Sequence, residues 1–478
     1  MSLRKQALSG LVWTFGQQFG NQLVGFIVSL TLARILLPEE FGLIAMITFF
    51  IAIGQVLVDS GLTDSLIRTK NPDNADYSTV FYFNLVLSLL MYLLVYFLAP
   101  YIATFYNEEI LTGIARLYAL TFIINAFSTV QLTRLTKLMR FKSQALISIP
   151  ATITGGIVGI SLAYSGYGVW SLVWSQIAVS LVSSIQVWFY SRWIPDFAFS
   201  EVKFKEHFKF GYQLALSGLL NKTFNNIYLL IIGRFFSATQ LGFYTRAETM
   251  RRLPVNNLSH ALNKVSFPLF AQIKNDPVRL KRVYKQFMQT AVFIISPILI
   301  IFAVLAEPLF RFLFTEKWLP AVPYFQVIFI TGILAPIHSY NLNILKIKGK
   351  SNLFLKISVF KKVFIILTIA LGLQFGIYGL LYGQVVLSLL FFFINGYYTN
   401  LFLGYSVKEQ IKDILPILLI STITGLVVFL LDSFLLSYFD FIRLLTGCFA
   451  GISILIILSH FFKIDSFTLL KKVLLKNK

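Results

Sequence analysis

Arg34 and Arg234 are the first residues in this sequence that could do chemistry. Each follows a long apolar run, each precedes a glycine by eight positions, and the two stand 200 residues apart. The first lies in LARILLPEEFG (33–43) and the second in GRFFSATQLGF (233–243), with Gly42 matching Gly242 and Phe41 matching the apolar Leu241. A guanidinium presents a fork of donors that fits phosphate oxygens. Lys222, Arg246, Arg251, Arg252 and Lys361 also fall within apolar stretches. A cation at the centre of a membrane span costs roughly 2.5–3.5 kcal/mol, so such residues face a cavity or a partner. The implied chemistry is the binding of an anion by excess positive charge, most of it in the second half of the chain. For Arg34 and Arg234 a second reading stands beside it, in which each side chain snorkels to the headgroup layer. Glu248 is spaced to pair with Arg251 or Arg252 at i+3 and i+4, which neutralises one charge only. Ion coupling is its other reading.

Polar residues inside the apolar runs form stripes. Gln17, Asn21 and Gly25 recur at every fourth position, as do Gln213, Ser217, Asn221 and Asn225, and Asn21 is the counterpart of Asn221. This spacing drifts about 40° per step on a helix and so keeps one face. Such a face either hydrogen-bonds a neighbouring helix or walls a hydrated cavity. Two matching stripes favour the cavity.

The elements that must hold these residues are membrane helices. Of 478 residues, 57% are hydrophobic and only 13% charged, and the mean hydropathy is +0.76; soluble domains carry about one quarter charged residues. The apolar residues cluster into runs of about twenty, enough for a helix to cross ~30 Å of hydrocarbon. The expected class is an all-α integral membrane protein with about fourteen transmembrane helices. The first six cores are 10–33, 41–59, 79–99, 111–132, 145–164 and 168–190. The next six are 210–233, 241–263, 286–306, 321–343, 352–372 and 376–398, followed by 412–431 and 441–462. Hydropathy alone would not select 241–263, with its four charges; the repeat requires it. The N-terminal run is too long for a cleaved signal and reads as the first span.

Lys and Arg gather at alternate ends of the runs, in clusters such as Arg134, Lys137, Arg140 and Lys142, or Lys346, Lys348 and Lys350. The other ends are nearly free of them. The basic ends are expected to be cytoplasmic, and both termini with them. This pattern also accounts for the formal charge of +21 without nucleic acid as a partner.

Internal repetition sets the organisation. Lys70-Asn71 answers Lys274-Asn275 at an offset of 204; Lys142-Ser143 answers Lys350-Ser351, and GVWSLVWSQ (168–176) answers GIYGLLYGQ (376–384), at 208. A slowly growing offset means one duplicated unit with small insertions. One period holds six spans, so both copies enter the membrane in the same direction. The expected divisions are a six-helix bundle at 1–200, a second at 201–403, and two further helices with a basic tail at 404–478.

Much chemistry is excluded. There is no phosphate-cradling glycine loop. The four histidines are scattered, and the single Cys448 allows no intrachain disulfide. No cofactor or metal is expected, and no extramembrane segment is long enough for a catalytic domain.

LARILLPEEFG and GYGVWSLVW, with Lys-Ser after the fourth span, resemble the polysaccharide transporter family of O-antigen, exopolysaccharide and teichuronic acid flippases. That family shares a superfamily with the multidrug and toxin extrusion transporters and the lipid II flippases. The resemblance covers essentially the whole chain. It implies two bundles in a V that alternate between inward- and outward-open states in the bacterial cytoplasmic membrane. The implied cargo is an oligosaccharide on undecaprenyl pyrophosphate, moved to the outer leaflet, with a polysaccharide polymerase or export machinery as further partners. Cationic cavity residues hold the pyrophosphate in such proteins, which by position in the repeat points to Arg34, Lys222, Arg234 and Arg246. A multidrug or ion-coupled exporter of the same superfamily is the alternative, and the cationic spans disfavour it. A glycosyltransferase would need a large catalytic outer loop, and a scaffold would not need buried arginines.

Overall fold

Helix is the only regular structure among the described residues, which run from 3 to 475 in this computed structural model. The side chains of residues 3–9, 11, 260, 261 and 473–475 lie outside the description, and with them the cations Arg4, Lys5, Lys476 and Lys478. The helices divide between two units, residues 1–242 and 243–478.

The first unit contains α1 (Leu3–Ile35), α2 (Pro38–Asp59), a short α3 (Leu62–Arg68) and α4 (Asn74–Tyr106). It continues through α5 (Leu111–Lys137), α6 (Phe141–Tyr164), α7 (Val169–Ser191) and α8 (Glu201–Phe235) to the first residues of α9 (Ala238–Gln272). The second unit takes the rest of α9, then α10 (Pro277–Val304), α11 (Ala306–Phe314), a 3-10 turn (Glu316–Ala321) and α12 (Val322–Ile347). It ends with α13 (Ser351–Leu373), α14 (Gly376–Leu403), α15 (Val407–Phe434), α16 (Asp440–Phe461) and α17 (Asp465–Leu475). Each expected span overlaps one long helix. The short α3, α11, the 3-10 turn and α17 are additions that a twenty-residue hydropathy window does not register.

Ten of the segments are long and apolar enough to cross a membrane. Helices α1, α8, α9 and α13 have the length but are too polar for that description. They carry the polar stripes, the Glu248 cluster and Lys361. Helix α8 opens the second copy of the repeat, yet it packs along α2 and α3 in the first unit.

Repeated sequence builds repeated local structure. Gly168 and Gly376 precede or open α7 and α14 with φ of +53° and +68°, a backbone region that glycine enters without a Cβ clash. The two arginine–glycine stretches each form a helical hairpin with a two-residue link. At the first, the Glu40 carboxylate accepts from the Leu37 amide at 2.6 Å. At the second, Ser237 and Gln240 form a reciprocal capping box at 3.2 and 3.3 Å. The hairpins then meet. A Cβ on Gly42 would overlap the carbonyl of Ala238, and one on Gly242 would overlap the carbonyl of Pro38. Each glycine thus receives the first turn of the other copy's helix. Small residues at such crossings let backbones approach closely where no hydrophobic force drives association.

In the second unit, charge ties the trailing pair together and joins it to the bundle. Arg443, 4% exposed, grips both oxygens of Asp432 at 2.9 and 2.8 Å. Arg311 of α11 reaches Asp440 at 3.3 Å.

The reciprocal glycine contact yields a direct expectation. Gly42→Val and Gly242→Val should each lower unfolding stability in detergent by about 1–3 kcal/mol, the usual cost of overpacking. Gly25→Val, where a Cβ would meet nothing within 4 Å beyond its own helix backbone, should leave the midpoint nearly unchanged. Equal midpoints for all three would mean that the hairpins do not abut.

Candidate functional site

Within the first unit, α2, α3, α5, α7 and α8 line an open cavity of about 720 Å³. Its longest polar wall is α5, where Thr121, Asn125, Thr129 and Thr133 follow one another at every fourth residue. Helix α2 adds Thr48, Gln55 and Asp59, α3 adds Asp64, and Lys222 enters from α8. The threonines do not compromise their helices, because each hydroxyl donates to a carbonyl of its own turn. Thr48 donates to Ile44 at 2.7 Å, Thr121 to Tyr118 at 2.7 Å, Thr129 to Asn125 at 2.8 Å and Thr133 to Thr129 at 2.9 Å. Their oxygen lone pairs stay available to a ligand.

At its Lys/Arg-rich end this unit is tightly joined. Gly61 and Gly211 meet backbone to backbone where the α2–α3 link crosses α8. Ser65 Oγ lies 2.8 Å from Nδ1 of the buried His207, whose Nε2 lies 3.2 Å from Asp76 Oδ1. Lys203 bonds the other Asp76 oxygen at 3.1 Å and also pairs with Asp73. The Lys137 ammonium donates to the carbonyls of Leu66 and Ile67 at 3.0 Å each, and to that of Thr69, so it caps α3. Arg68 stacks on Phe210 at 4.1 Å. Hydrogen bonding to Lys203, helped by the Asp76 amide, holds the Asp73 carboxyl at about 2, below its ordinary 3.8.

The expected site residues separate into groups. Lys222 lines the cavity. Arg34 and Arg234 are exposed in the last turns of α1 and α8, where the helix dipole favours a cation. The abutting hairpins bring them to the same end of the unit, and Arg234 stacks 5.1 Å from the Phe105 ring centre. Gln17 and Asn21 are half-buried, and Asn21 accepts from Thr152 of α6 at 3.5 Å; Asn221 and Asn225 are exposed. The remaining residues lie in the second unit. Arg246 is 5% exposed, with the rings of Phe314 and Trp318 each 4.7 Å away. Glu248 receives Arg251 at 2.8 and 2.6 Å and Arg252 at 2.6 Å. Lys361 is buried and donates to Asn395, which lies 3.4 Å from His338, itself 3.0 Å from Ser388.

The α5 wall was not among the expected residues. Its signal is present in the sequence as the same four-residue spacing that marked α1 and α8. Threonine conceals it, being apolar enough to pass within an ordinary span. A larger cavity, about 860 Å³, lies between α10 and α17. Two of its lysines are already engaged, Lys281 with Glu409 at 2.9 Å and Lys285 with Asp413 at 2.6 Å.

The fold and the cavity define a helical membrane transporter built on an internal repeat. Residues 31–323 match the family model described as polysaccharide biosynthesis protein, and the chain belongs to that family. It is similar to the teichuronic acid biosynthesis protein TuaB of Bacillus subtilis strain 168, with 26% identity over 355 residues, 74% of this chain and 73% of that one. It is also similar to the lipopolysaccharide biosynthesis protein WzxC of Escherichia coli K12, with 24% identity over 441 residues and 89% of each chain. Among solved structures, the lipid II flippase MurJ in an inward closed conformation matches with a TM-score of 0.76 at 17% identity, covering 95% of this chain and 99% of that one. An inward-facing multidrug resistance MATE family transporter of the MOP superfamily matches with a TM-score of 0.60 at 16% identity, covering 80% and 95%. The fold of this chain is therefore the one these transporters share.

The Asp73–Lys203 pair fixes a pH window. A carboxylate whose pKa is lowered by folding contributes stability above its ordinary value and loses it as pH falls through its folded value. Wild type should therefore melt above Asp73→Asn at pH values higher than 3.8, with the gap closing as pH falls toward about 2. A gap undiminished at pH 2 in detergent melting curves would contradict the pairing.

Proposed function

We propose that this protein is a lipid-linked oligosaccharide flippase. It moves undecaprenyl-pyrophosphate-linked saccharide from the cytoplasmic to the outer leaflet of the bacterial cytoplasmic membrane for surface polysaccharide synthesis. The observation that carries this reading is the hydroxyl- and amide-walled cavity of the first unit, in a chain of the polysaccharide biosynthesis family with the flippase fold. In this proposal the fourteen long helices all span the membrane, with the Lys/Arg-rich ends and both termini in the cytoplasm. The bundles at 1–200 and 201–403 alternate in exposing the cargo to either leaflet.

Sugar hydroxyls and pyrophosphate cannot cross hydrocarbon without losing their water. The polar walls of α2, α5 and α8 replace that water while the polyprenyl chain stays in lipid. Arg34 and Arg234, exposed at the outer ends of their helices, suit the departing anion. The pairing of Glu248 with both Arg251 and Arg252 favours a partner's role over ion coupling. The protein makes and breaks no bond. Its energy source is the membrane potential, because carrying about two negative charges outward releases roughly 4–5 kcal/mol per 100 mV.

One observation favours a second reading. Asp59 and Asp64 in the cavity would suit a cationic drug, as in a multidrug exporter. Unchanged drug resistance on overexpression dismisses it.

Proteoliposomes test the proposal. With undecaprenyl-pyrophosphate oligosaccharide in the inner leaflet, a membrane-impermeant glycosidase should gain access to the sugar only when the protein is present. Flipping should need no ATP, should run severalfold faster under a potential that draws anions outward, and should weaken in the Arg34→Gln, Arg234→Gln double variant. Absence of flipping with several head groups would overturn the proposal. Equal rates at zero and imposed potential would remove its energetic half.

A further inference from the structure

We infer that the α2–α5–α8 cavity is the saccharide subsite, and that it selects neutral or N-acylated amino sugars over uronic acids. The inference rests on the flippase reading and deepens it. Its basis is the balance of donors and acceptors on the cavity wall. Thr48, Thr121, Thr129 and Thr133 commit their hydroxyl protons to carbonyls of their own helices. What they offer a ligand is oxygen lone pairs. Asp59, which already accepts from Thr63 at 2.7 Å, and Asp64 offer acceptors only. Donors on the wall come from the amides of Gln55, Asn125 and Gln176, the Tyr118 phenol and the Lys222 ammonium.

A wall so rich in acceptors is satisfied by a ligand rich in O–H and N–H groups. Sugar hydroxyls donate and accept at once, and the N–H of an N-acyl group donates. A carboxylate can only accept, and it brings negative charge beside two aspartates that a single lysine opposes. It is disfavoured on both counts, and so is the pyrophosphate, which is left outside this cavity. The volume of about 720 Å³ lies within the ~300–1,000 Å³ typical of small-molecule sites, so the cavity takes a short saccharide and not a polymer.

Binding and flipping separate this inference from the reading beneath it. In saturation-transfer NMR on the full-length protein in detergent, N,N′-diacetylchitobiose should receive magnetisation and a disaccharide containing glucuronate should not. Asn125→Leu and the isosteric Thr129→Val should each weaken chitobiose binding by about three- to tenfold, the loss of one hydrogen bond. Their melting curves should match wild type, and the shape-preserving Thr129→Val guards against a folding artefact. Asp59→Asn with Asp64→Asn should admit the glucuronate sugar. Equal transfer to both sugars in wild type, or variants without effect, would overturn the subsite. In proteoliposomes the neutral lipid-linked disaccharide should flip faster than its uronate counterpart. Chitobiose binding without flipping of either lipid would sink the flippase reading while sustaining the subsite; flipping indifferent to the acid would do the reverse.

Discussion

Inside a membrane a polar group has no water to fall back on, so it must be satisfied by the protein or by what the protein carries. That constraint sorts the charges of this chain. Arg443 closes on Asp432, and Arg251 and Arg252 close on Glu248. Lys361 is absorbed into a chain that passes through Asn395 and His338 to Ser388. Such contacts satisfy these charges, in whole or in part, within the protein. The cavity walls of the first unit obey the same rule differently. Their threonines satisfy the helix with the proton and keep the lone pairs, so one residue type serves both the span and the site.

Duplication imposes a second requirement, that two copies of one sequence fit against each other. At Gly42 and Gly242 the fit is reciprocal, each glycine accepting the backbone of the other's helix start. A side chain at either position would push apart the hairpins that carry Arg34 and Arg234. The arginine and the glycine recur together because the glycine sets how closely the two arginine-bearing hairpins sit. At the other end Gly61 and Gly211 make a similar approach. There the bond set of Ser65, His207 and Asp76 reinforces the crossing.

Much of this was legible in the sequence. The helices, the repeat and the pairing of Glu248 with its arginines follow from periodicity and spacing. The engagement of Lys361 with Asn395, and of Arg246 with Phe314 and Trp318, depends on residues dozens of positions away that only packing brings together. The α5 wall escaped for another reason. Threonine in a helix is nearly silent in hydropathy, and its value to a ligand emerges only once its proton is seen to be spent on the backbone.

The four helices too polar to register as spans carry most of the candidate residues. Polarity inside a membrane costs stability, so a sequence spends it only where partners or cargo return it. In α9 and α13 the return is internal, as ion pairs and a hydrogen-bonded chain. In α8 Lys222 turns to a cavity, and in α1 and α8 Arg34 and Arg234 stand exposed at the helix ends. A hydropathy trace that falters at these helices thus reports two different investments with one signal. Only the partner of each charge tells whether the polarity was meant for the fold or for something that passes through it.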